Sequence, residues 1–212
     1  EKEPYHSVPF FYDVSVWALP YNYGVEGYWT EDAVAVRTEP VKAVPESKGT
    51  VHGGKAQVAY AWSYTGNQEA RAAFQLAADG FKVYVCTRPF RQAGVSFAPA
   101  AIVAFVAEND EGLHARVPRL AEETGIDIYA LQSGHVEEGS DLGGATFIPI
   151  TRPSVAVLTR DGVDSTAFGS FWFLFDQLYG LDFTPITIEQ LKEANLKRYS
   201  TIILPDGGVQ YT

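Results

Sequence analysis

Three groups of side chains in this 212-residue chain have the types and spacing that chemistry uses. The first is His135-Val-Glu-Glu138, an H-x-x-E spacing in a loop that also holds Glu137 and Asp141. A zinc hydrolase needs neutral imidazoles and a carboxylate converging on one cation, and a further ligand would have to come from His6, His52 or His114. A hard cation bound by oxygens is conceivable, while Gly134, Gly139, Gly143 and Gly144 make a solvated polar loop the simpler expectation. His135 and Glu138 are therefore the metal candidates. The second group is Cys86, the one cysteine. A thiolate nucleophile is presented on a tight strand-to-helix elbow with a His base, but Val85-Cys86-Thr87-Arg88-Pro89-Phe90 sets a proline where that helix would begin. A small buried hydrophobe at a strand end is expected. Ser133 and Ser165 lack the G-x-S-x-G setting, and no nucleophilic triad is visible. The third group is Asp161, Asp164, Ser165 and Asp206, in the turns Arg160-Asp-Gly162 and Pro205-Asp-Gly-Gly208 that follow apolar strands. In a doubly wound sheet such strand ends face a ligand crevice, and a helix starting at Ser165 offers free N–H groups. Neither turn matches a dinucleotide fingerprint or a P-loop. These four residues are candidates for a small ligand or a peptide.

The elements that hold these residues can be read from periodicity. An aromatic-rich arm with Phe10, Phe11, Tyr12, Trp17, Tyr28 and Trp29, a strand near Val34 to Arg37 and a Pro/Gly linker fill residues 1–54. Residues 55–150 read as a small α/β domain. It has strands at Gln57–Trp62, Lys82–Thr87, Ala101–Ala107 and Asp127–Leu131, a helix at Asn67–Ala78, and a second helix ending at Gly125. Pro118 either kinks that second helix or is its first-turn residue. Residues 151–212 read as β-α-β-α-β: Val155–Thr159, a helix carrying Phe168, Phe171, Trp172 and Phe175 up to Gly180, a strand near Thr184–Ile188, a short helix from Glu189 to Lys197, and Thr201–Leu204. Asp164 or Ser165 would cap the aromatic helix. All-apolar strands joined by helices predict an α/β fold with mostly parallel sheets flanked by helices, flavodoxin-like in its second half.

Composition narrows the function classes. With 46% hydrophobic and 20% charged residues the chain reads as globular, and no apolar run approaches a bilayer span. Sixteen basic against 26 acidic residues give a charge of −10, which opposes nucleic-acid binding. The start at Glu1, without a signal-peptide pattern, predicts a processed or excised piece, and a strand running into Gly207-Gly208 predicts an α/β unit that continues.

The wording of several segments is suggestive. Phe11-Tyr-Asp-Val-Ser-Val-Trp-Ala-Leu-Pro20 with Tyr23-Gly-Val-Glu26 resembles a segment of large bacterial zinc carboxypeptidases of the carboxypeptidase A type, downstream of their catalytic domain. Pro153-Ser-Val-Ala-Val-Leu-Thr-Arg-Asp-Gly162, Phe168-Gly-Ser-Phe-Trp172 and Tyr199-Ser-Thr-Ile-Ile-Leu-Pro-Asp-Gly207 resemble the opening of the class I glutamine-amidotransferase-like domain in the same proteins. The resemblance implies a parent protein that is exported to the periplasm or beyond and removes C-terminal residues from peptides. Its zinc would be held by two histidines and a glutamate that have no counterpart here, so no catalytic residue and no cofactor is assigned to this chain. The expected role is accessory and non-catalytic, with the peptidase domain of the same parent as partner. An independent small-ligand or peptide-binding α/β module is the first alternative. An amidotransferase-like hydrolase using Cys86 or the His135 loop is the second.

Overall fold

The computed structural model describes residues 48–160 and 162–207, together with residues 20, 26–32, 35, 37, 40, 42 and 43. Most of the aromatic arm, His6, Val34 and Val36 of the strand expected at Val34–Arg37, and Asp161 lie outside the described residues, while Ala35 and Arg37 of that span are described and belong to no strand. The chain divides into two compact units, Glu1–Val44 and Pro45–Thr212. In the first, Tyr28 and Trp29 stand in solvent, and the Tyr28 hydroxyl donates to Glu26 at 2.7 Å.

The second unit begins with β1 (Val51–His52), β2 (Ala59–Trp62), α1 (Asn67–Ala78), β3 (Val83–Cys86), β4 (Phe90–Gln92), β5 (Val95–Phe97), β6 (Ile102–Phe105), α2 (Gly112–Thr124), β7 (Ile128–Leu131), β8 (Glu138–Gly139) and β9 (Phe147–Ile150). Six of these strands form one sheet in the order β1-β7-β2-β6-β3-β9. Only β1 and β7 run parallel, and every other neighbouring pair is antiparallel. The expectation of a mostly parallel sheet fails here for a topological reason. Helix α1 joins β2 to β3 and α2 joins β6 to β7, and each helix links parallel strands that are separated by a strand of the other β-α-β. The order β7-β2-β6-β3 is the split β-α-β arrangement of ferredoxin-like folds.

The central strands β2, β6 and β7 are apolar throughout and largely buried because both faces are covered. On one face Leu76 of α1 and Leu113, Val117 and Leu120 of α2 pack on Tyr60, Trp62, Ile102 and Ile128. On the other, Ala59, Ala61, Val103 and Leu131 meet Phe90 and Phe97, which belong to the small sheet β5-β4-β8. The Phe90 and Phe97 rings stack at 4.7 Å. That small sheet turns on Ala93 and Gly94, both at positive φ (53° and 72°), the geometry of a two-residue hairpin. Helix α2 runs without interruption through Pro118, so the first-turn alternative is set aside. Pro118 lies on the exposed face, while five residues buried along the helix hold it in place.

The rest of the chain adds β10 (Val155–Leu158), α3 (Ser165–Trp172), which widens into a π-helical stretch at Phe173–Tyr179, β11 (Phe183–Ile186), α4 (Ile188–Glu193) and β12 (Thr201–Ile203). Here the parallel expectation holds: β10 lies between β11 and β12 and is parallel to both. Phe168, Phe171 and Phe175 cover the face carrying Val155 and Val157, and Ile188 and Leu191 cover the face carrying Ala156 and Leu158. The chain leaves the aromatic helix at Gly180, whose φ of 62° suits a left-handed C-cap. Helix α4 is shorter than its expected span to Lys197. Thr187 and Gln190 close a capping box at its start, and Asn195 then opens a separate 3-10 turn at Leu196–Arg198.

Candidate functional site

The loop after β7 carries the H-x-x-E pattern, and its hydrogen bonds show where each side chain goes. The Ser133 hydroxyl accepts the His135 amide at 3.1 Å, and one Asp141 carboxylate oxygen accepts the Val136 amide at 2.9 Å. The same oxygen faces His135 Nδ1 at 3.1 Å. Glu138 belongs to β8, in register with Arg91 of β4, and its carboxylate lies 3.3 Å from the Arg91 guanidinium. Glu137 meets the same guanidinium at 3.3 Å. Gly139 is required beside it, because a Cβ there would lie 2.5 Å from the Pro89 carbonyl oxygen. His135 thus turns to Asp141 while Glu138 turns to β4, and the two do not converge on one point. Among the described residues no group of three or more His, Cys, Asp or Glu side chains is placed to hold a metal ion.

Cys86 closes β3 and is fully buried. Its thiol donates to the Arg88 carbonyl at 2.8 Å, and burial pushes its pKa up, against the smaller opposing effect of that hydrogen bond. A nucleophilic cysteine needs the opposite, a stabilised thiolate within reach of solvent. The three described histidines have other neighbours: His52 meets Asp127, His114 meets Tyr60, and His135 meets Asp141.

Asp164, Ser165 and Asp206 do come together, at the carboxyl ends of β10 and β12. There the sheet order reverses and a doubly wound fold would open its crevice. The chain's own backbone fills that place. Val163 and Gly207 form an antiparallel bridge, and the Asp164 amide donates to the Asp206 carbonyl at 2.9 Å. The loops touch so closely that a Cβ on Gly207 would lie 2.1 Å from the Gly162 carbonyl oxygen. The Asp164 carboxylate accepts the Thr166 and Ala167 amides, both at 2.8 Å, and so caps α3 as its position before the helix suggests. The Asp206 carboxylate accepts the Gly207 amide at 2.8 Å. Ser165 is the exposed first residue of α3.

Two side-chain clusters had no sequence signal, since their members are far apart in the chain. In one, the Asp127 carboxylate accepts the amide and the hydroxyl of Thr50, at 3.2 and 3.0 Å, and lies 3.1 Å from His52 Nε2. The His52 contact, then the Thr50 amide, holds the Asp127 carboxyl below its ordinary value. Thr, His and Asp here do not make a relay, because Thr50 and Asp127 meet the same imidazole nitrogen. The cluster fastens β1 to the start of β7. In the other, the buried Tyr60 hydroxyl accepts the Ala56 amide at 3.3 Å and lies 2.9 Å from His114 Nδ1, tying the sheet to α2. A third feature is a cleft of about 300 Å3 beside α1, lined by Tyr64, Phe74, Val85, Ile102 and Ile150 and almost wholly apolar. Comparison of the chain with protein-family models, with curated proteins and with solved structures gave no match.

Proposed function

We propose that this chain is an accessory, non-catalytic region of a zinc-carboxypeptidase-like protein, and that it packs on or positions the peptidase domain of its parent. One contrast carries the reading. Cys86, His135, Glu138, Asp164 and Asp206 are engaged by neighbours within the chain, whereas Trp172 at the end of α3, Phe173 in the π-helical stretch, Ile148 on β9, and Tyr28 and Trp29 stand with large apolar surfaces in solvent. Aromatic anchors of this kind are what a protein-facing surface presents. Zinc belongs to the parent's peptidase domain in this reading, and export of the parent goes with it. Residues 155–203 are then the opening half of a doubly wound, amidotransferase-like domain. The order β11-β10-β12 with one helix on each face supports that finer description.

The test is a binding titration of the chain against the peptidase domain taken from the complete open reading frame. Saturable binding that weakens in a Trp172→Ser/Phe173→Ser variant is expected. Absence of binding, with peptidase activity unchanged when this region is deleted, would overturn the proposal. A second reading, an independent binding module, is favoured by the apolar cleft beside α1, whose size is at the lower end for small-molecule sites. Thermal stabilisation of the isolated chain by a small apolar ligand, without affinity for the peptidase domain, would favour it. The hydrolase reading has least to draw on, with Cys86 buried and His135 held by Asp141.

A further inference from the structure

We draw no further inference here: the strongest candidate, the apolar cleft beside α1 between Tyr64, Phe74, Val85 and Ile150, belongs to the site already described, and nothing in the structure shows what covers it.

Discussion

The six-stranded and three-stranded sheets of the second unit are built from the same local pieces and end in different architectures. Strands such as Ala59–Trp62, Ile102–Phe105 and Val155–Leu158 are all fully buried. In the smaller sheet that burial comes from helices on both faces, and the strands are parallel. In the larger sheet it comes from helices on one face and from the β5-β4-β8 sheet on the other, and the strands are mixed. An all-apolar strand in the middle of a sheet therefore reports that two faces are covered, without reporting by what or in which direction its neighbours run, whereas the edge strand β9 is as apolar and keeps Ile148 in solvent. The two regions also differ in depth of core. Five residues of α2 are buried, whereas α3 and α4 have none.

That difference in depth predicts unequal responses to substitution. Trp62→Ala, at a fully buried side chain between sheet and helices, should cost about 3–5 kcal/mol in urea unfolding. Phe171→Ala, at a half-buried ring on α3, should cost less than half as much, and equal losses would erase the distinction between the regions. Asp164→Ala should cost about 1 kcal/mol by removing the α3 cap, with faster amide exchange confined to residues 162–172 and none in α1 or α2. The smallest expected effect is at acid pH. The folded pKa of Asp127 lies below its unfolded value, so its contribution is complete above about pH 4 and is lost as pH falls through the folded value. Amide shifts of Thr50 and Ile128 should report loosening of β1 in that range, and Asp127→Asn should abolish the acid transition.

The legible parts of the sequence were those governed by local periodicity. Helix α1 lies at its expected residues, and β2, β3, β6, β7 and β10 fall within their expected spans, because a repeating apolar face and a flanking glycine are local signals. The hairpin at Phe90–Phe97 turns on Ala93-Gly94 rather than on an Asn-Gly or Asp-Gly pair, and so gave none. β9 carries Pro149, which argues against a strand until its place at an edge is known. At the candidate site a cap by Asp164 or Ser165 was readable from their position before the aromatic helix, and the hydrogen bonds to the Thr166 and Ala167 amides give the role to Asp164. The closure of the strand-end crevice was not, since it depends on two loops more than forty residues apart meeting backbone to backbone. His135 and Glu138 share a spacing that suits zinc, but β8 pairs with β4 and draws Glu138 to Arg91, a contact that no local pattern announces.

The accessory reading is tested most directly by measuring zinc content and release of C-terminal amino acids from a mixed peptide set. The measurement is made on this 212-residue chain and on the product of its complete open reading frame. The account predicts zinc and turnover in the longer product alone. Stoichiometric zinc with turnover in the short chain, lost in His135→Ala or Glu138→Gln, would contradict it.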